Sequence, residues 1–110
     1  MPQVNQVTVI GRLVRDAELK YIPSGDAVCS MNIAINRSWK DKGSNEWKEE
    51  ACFIPVDFWV KNEKFVPPSK GSEILVFGRL KQRTWEKDGQ KKSIIQIVAD
   101  KLVVLSEKST

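Results

Sequence analysis

The chain has 110 residues, 41% hydrophobic and 29% charged, with 18 cations against 14 anions and no histidine. That length suits one globular domain, and the net charge of +4 favours an anionic partner. No apolar run approaches a membrane-spanning length, Met1-Pro2-Gln3-Val4-Asn5 lacks the regions of a signal peptide, and without His or Cys-x-x-Cys no zinc site or other cofactor is expected.

Residues 4–15 are rich in β-branched side chains and read as a long strand partly buried on both faces, with Gly11 marking a bend or bulge. Tyr21-Ile22-Pro23-Ser24-Gly25-Asp26 is turn chemistry. Residues 27–37 form a second strand, in which Cys29, Met31, Ile33 and Ile35 alternate against Ser30, Asn32, Ala34 and Asn36. Ser38 to Glu50, with Trp39 and Trp47 among balanced charges, reads as a long hairpin loop with Gly43-Ser44-Asn45 at its tip. Residues 51–60 are the third strand, which Pro55 should place at an edge or bulge. Lys61 to Lys70 has room for one short helical turn before Pro67-Pro68 stops it.

Residues 72–86 are a fourth strand, interrupted by Gly78, and Asp88-Gly89 signals a tight hairpin. Residues 92–99 return as the fifth strand, Leu102 to Leu105 closes the barrel, and residues 107–110 should fray. Cys29 and Cys52 both fall on apolar-face positions, so two reduced core thiols are expected. The pattern describes an all-β, five-stranded OB-fold Greek-key barrel with long hairpin extensions and at most one short helix, as a single domain over residues 1–106. An SH3-like barrel and an immunoglobulin-like sandwich are the rivals, and the long strands argue against the sandwich.

Two stretches bear on function. In the third strand Phe53 and Trp59 share one face, while Cys52, Ile54, Val56, Phe58 and Val60 make the opposite, wholly apolar face. Asp57 lies between the two rings on their face, which favours exposure. In the fourth strand Arg79, Lys81, Arg83 and Trp85 share a face, and residues 79–92 hold six cations against two anions. Rings beside cations suit a ligand that is stackable and anionic, which describes single-stranded nucleic acid. The bland alternatives are core aromatics and solvated strand charges. No histidine, paired-carboxylate motif or glycine-rich phosphate loop supports catalysis, so an enzyme is not expected.

The stretch VNQVTVIGRLVRDAELKYIPSG, then Asn32-Ile33-Ala34-Ile35, Ser38-Trp39-Lys40-Asp41-Lys42, Lys70-Gly71-Ser72 and Gly78-Arg79-Leu80-Lys81-Gln82-Arg83-Thr84-Trp85 together resemble the bacterial single-stranded DNA-binding protein family over about residues 3–105. The resemblance implies sequence-tolerant binding of single-stranded DNA in replication, recombination and repair. It implies base stacking on Trp39, Phe53, Trp59 and Trp85, and basic contacts from Lys42, Lys61, Lys70, Lys81 and Arg83; the strand-face reading adds Arg79 to the phosphate-binding set. Trp47 has no counterpart in the motif. A homotetramer is implied, with a homodimer as the other assembly, in a cytoplasmic, nucleoid-associated setting without membrane contact.

Three departures stand out: Phe53-Ile54-Pro55 where an aromatic is often followed by His and Arg, a shortened Lys61 to Ser69 segment, and no acidic tail after Thr110 to recruit enzymes. The first two bear on the tetramer interface; the third reads as a truncated core or a tail-less paralogue. The competing function is a protein-interaction module of the primosome or replication machinery, with DNA binding secondary.

Overall fold

The computed structural model describes residues 3–61 and 64–107. Six strands follow in order: β1 (Val7–Leu13), β2 (Glu18–Tyr21), β3 (Ala27–Lys40), β4 (Trp47–Val60), β5 (Glu73–Lys87) and β6 (Gln90–Ser106). They pair in the order β1-β5-β6-β4-β3-β2, and β1 also meets β3 through Arg12↔Ala34 and Leu13↔Ile33. That last pairing closes β1, β5, β6, β4 and β3 into a barrel, leaving β2 as an added strand beside β3. Among the described residues only β4 and β6 pair in parallel, at Val56↔Ile97 to Phe58↔Ala99. This is the expected five-stranded OB-fold barrel. No helix of the described residues is long and apolar enough to cross a membrane.

Strand alternation builds the interior. Leu13, Cys29, Met31, Ile33, Val56, Ile74, Val76, Ile97 and Ala99 form the buried cluster, and Ile54, Phe58 and Val60 pack against it from β4. The Phe58 ring meets Phe65 at 5.4 Å between centroids, tilted by 53°, and so covers one end of the cluster. Cys29 is fully buried; burial, with a smaller contribution from the charge on Asp57, pushes its thiol up to about 11 and keeps it protonated at neutral pH.

Several expectations change. Cys52 is exposed rather than in the core: it has the core-side parity, but lies where β3 and β4 have already run past the barrel. Gly11 makes no bulge, since the β1–β5 register is unbroken through it. Its small size matters instead, because a Cβ there would lie 3.0 Å from Ile33 Cδ1 and 3.1 Å from the Ala34 carbonyl oxygen, where β1 closes onto β3. Pro55 is not bulged: it sits opposite Asn32 in continuous β3–β4 pairing, with the other side of β4 open at that residue as at a strand edge. On its other side the β6 ladder begins only at Val56, so proline forfeits no bond there. The strand β2 was not expected, its four residues being too short to show a period.

The expected helical turn between Lys61 and Lys70 falls partly on residues 62–63, outside the described residues; the described remainder holds turns and no helix. Residues 108–110, where fraying was expected, also lie outside them.

The hairpins are longer than the sequence pattern suggested. β3 and β4 stay paired to Lys40↔Trp47, so the loop between them is only residues 41–46. There the Ser44 hydroxyl and amide both donate to Asp41 Oδ2 (2.7 and 3.1 Å), which holds the Asp41 carboxyl below its usual range. β5 and β6 pair to Lys87↔Gln90 around Asp88 (φ 53°) and Gly89 (φ 77°), the left-handed pair of a type I′ turn. β6 is one strand of 17 residues, not two pieces, with a register shift opposite Phe77/Gly78. The radius of gyration is 16.5 Å, against about 13 Å for a compact chain of this length, because these two ribbons project from the barrel.

Candidate nucleic-acid interface

The third predicted strand, now part of β4, presents its aromatics as its alternation requires. Phe53 is 67% and Trp59 43% exposed, while Val56 on the opposite face is fully buried. Their cross-strand neighbours on β3 are short: Ala34 lies opposite Phe53 and Val28 opposite Trp59. Neither neighbour is large enough to cover a ring, so both rings stand above the sheet.

The cations of β5 join this same face. The β5–β6 register sets Arg79 opposite Val98, Lys81 opposite Gln96, Arg83 opposite Ile94 and Trp85 opposite Lys92. Gln96 Nε2 in turn donates to Asp57 Oδ2 on β4 at 3.0 Å, and the Ser30 hydroxyl donates to Asp57 Oδ1 at 3.2 Å. The residues of β3, β4, β6 and β5 that carry Ser30, Asp57, Gln96 and Lys81 therefore look outward from one surface.

On that surface Trp59, Lys61 and Arg79 line one groove of about 200 Å³. Arg79 also makes an ion pair with Asp100 at 2.8 Å, so part of its charge is already compensated. The guanidinium of Arg83 lies 5.7 Å from the Trp85 ring centroid, close enough for a cation–π contact. Lys81 is exposed between them. Aromatic faces and guanidinium groups thus alternate across one surface, which can stack bases and neutralise phosphates together.

The remaining expected residues lie further away. Trp39 is not in a loop: it sits on β3 opposite Lys48, on the ribbon face opposite to that of Phe53 and Trp59. It is half-buried, with the Arg37 guanidinium 5.3 Å from its ring. Trp47 has the parity of Phe53 and Trp59 and is 71% exposed, so it extends their face along the arm. Lys42 is in the turn at the arm's tip. Lys70, whose backbone amide donates to Asp16 Oδ1 at 2.7 Å, lines a groove with Arg12 and Gly71.

The sequence profile of the single-strand binding protein family matches residues 4–105. The chain belongs to this family. Among curated relatives, the family member from Treponema pallidum, named single-stranded DNA-binding protein, is 38% identical over 107 residues, covering 96% of this chain and 60% of its own length. Its namesake from Paenarthrobacter aurescens is 40% identical over 100 residues, covering 87% and 58% respectively. The chain thus spans about three fifths of the length of these relatives.

Solved structures in the family superpose closely. A Plasmodium falciparum family protein in complex with single-stranded DNA matches with a TM-score of 0.84 at 26% identity, over 96% of this chain and 98% of that one. The wild-type Thermus aquaticus protein matches with a TM-score of 0.75 at 33% identity, over 94% and 50%.

Proposed function

We propose that this chain binds single-stranded DNA with little dependence on sequence and protects it during replication, recombination and repair. The observation that carries this reading is the common surface on which Phe53 and Trp59 of β4 meet Arg79, Lys81 and Arg83 of β5. The relatives' names and the single-stranded DNA held by the Plasmodium falciparum protein support it. Bases stack on Phe53, Trp59 and Trp85, Trp47 extends that face along the β3–β4 arm, and Trp39 offers a second platform on the arm's other face. Lys61, Lys81 and Arg83 neutralise phosphates, Arg79 does so once it exchanges Asp100 for the strand, and Lys42 and Lys70 attract it from the periphery. The function needs no bond-making step, so the chain acts as a binding protein rather than an enzyme, in the cytoplasm.

Assembly into a homotetramer fits the outer surface of β1, β5 and β6. There Ile10, Leu75 and Val103 lie side by side in register, and Ile10 is 51% exposed. A second copy laid over this row would cover apolar area that a monomer leaves in water.

Arg83→Ala tests the phosphate assignment. It is expected to make the dependence of log affinity on log salt shallower by about 0.7, the counterion released per phosphate contact on a single strand. Fluorescence titrations with oligo-dT at four or more salt concentrations read the slope; an unchanged slope would remove Arg83 from the phosphate track.

A further inference from the structure

Trp47 is the most exposed indole of the chain, at 71% against 43% for Trp59 and 41% for Trp85. Arginine guanidinium groups lie over the rings of Trp39 and Trp85, and Trp59 lines a groove on the barrel surface. Among the described residues no cation–π or ring–ring contact involves Trp47. A large apolar ring left in water is a favourable surface for any ligand that can cover it. Trp47 is also the outermost residue of β4, paired with exposed Lys40 at the end of the arm.

The ground between Trp47 and Phe53 has a different character. On their shared face stand Ala51, opposite Asn36, and Glu49, opposite Ser38, with no ring among them. All four are exposed, and they line a groove of about 380 Å³ that Arg37 and Glu50 also border. Six residues of strand span about 20 Å. That length matches about six nucleotides at the spacing of ~3.4 Å along one strand of a duplex. Residues 37–50 carry four cations and four anions, so the arm as a whole offers phosphate no net attraction. What its tip does offer a strand is a free ring.

We infer that Trp47 is a second stacking station, reached only by strands long enough to pass Phe53 and cross this small-residue groove. The inference rests on the proposed single-stranded DNA binding and deepens it, because it sets the length of strand that one copy of the chain holds. The barrel station joins rings to Arg79, Lys81 and Arg83, so its affinity falls with salt. The tip station stacks a base and adds little net charge, so its contribution barely depends on salt. Every base has a π face, and binding at the tip therefore stays sequence-tolerant. A two-stranded ribbon twists strongly, and a flexible single strand can follow that twist where a stiff duplex cannot.

The test titrates end-labelled oligo-dT strands, from about 4 to about 20 nucleotides, against wild type and Trp47→Ala at two salt concentrations, read by anisotropy. Both proteins are expected to bind the shortest strands equally. Once the strand reaches the tip, wild type should bind about tenfold more tightly than the variant, the scale of one stacked base. That factor should be the same at both salt concentrations, and Trp47→Phe, which keeps a π face, should restore most of it. Equal affinity at every length would overturn the inference and leave the DNA-binding reading intact. A deficit that is uniform across lengths, or that comes with a lowered melting temperature, would also overturn it, since the ring would then serve the fold. So would altered sedimentation of the free variant, which would place Trp47 at a contact between copies. Failure of the wild type to bind oligo-dT of any length would overturn the underlying reading, and this inference with it.

Discussion

Trp59→Ala is expected to weaken binding of an oligo-dT strand by about 1–3 kcal/mol, with the salt slope unchanged. The ring is 43% exposed, lies outside the buried cluster, and borders a groove between Lys61 and Arg79. Removing it deletes a stacking platform but no charge, so the loss should be the same at low and high salt. The adjacent Phe58 provides the contrast: it points into the barrel against Phe65, and its replacement should cost stability. Isothermal titration of Trp59→Ala at two salt concentrations, with a thermal melt of the free protein, separates the two behaviours. A large drop in melting temperature with unaltered affinity would mean that the ring serves the fold.

Gly78→Ala should produce the largest loss of stability, about 3 kcal/mol. A Cβ at this position would lie inside van der Waals contact of the Val98 carbonyl oxygen and 2.9 Å from Ala99 Cα, and these are backbone atoms that cannot rotate away. The β5–β6 register shifts at this point, between Phe77 and Gly78. The next residue, Arg79, begins the cationic face. Glycine is thus required by close backbone approach, and the same approach aims β5 so that Arg79, Lys81 and Arg83 share the surface of Trp59. Urea unfolding of the variant should show the loss, and weaker DNA binding should accompany it. A shift below about 0.5 kcal/mol, the scale of an ordinary surface substitution, would mean that the irregular pairing opens without cost.

How far the sequence reached differs from element to element, for physical reasons. The alternation of Cys29, Met31, Ile33 with short polar residues, and of Ile54, Val56, Phe58 with Phe53 and Trp59, reflects a sheet with one wet face, so both the barrel and the ring-bearing side could be read. Asp88-Gly89 and Gly78 also announced themselves, because a type I′ turn and a crowded register shift each restrict residue choice.

The β3–β4 arm could not be read in this way. Beyond Ile35 and Cys52 it buries little on either face, so charged and aromatic residues appear without the period of a strand. Its pairing continues from the barrel, helped by contacts such as Arg37 with Glu50 (3.8 Å) across the strands. Taking it for a loop concealed that Trp39 and Trp47 lie on opposite faces, and that Trp47 is the one aligned with Phe53. Cys52 shows the same limit, since parity tells which face a residue takes but not how far along the strand the barrel extends. The bonding of Asp57 was equally out of reach: Gln96 lies 39 residues away, and only the parallel β4–β6 pairing brings them together.

The central claim is that one surface combines exposed aromatic faces with aligned cations and therefore selects unpaired bases. A tryptophan-fluorescence titration with oligo-dT, competed by duplex DNA of equal length at fixed salt, tests it most directly. The account predicts quenching on addition of oligo-dT, and displacement of oligo-dT by single strand but poorly by duplex, whose bases are already stacked. Equal competition by duplex and single strand, or binding without any change in tryptophan emission, would contradict it.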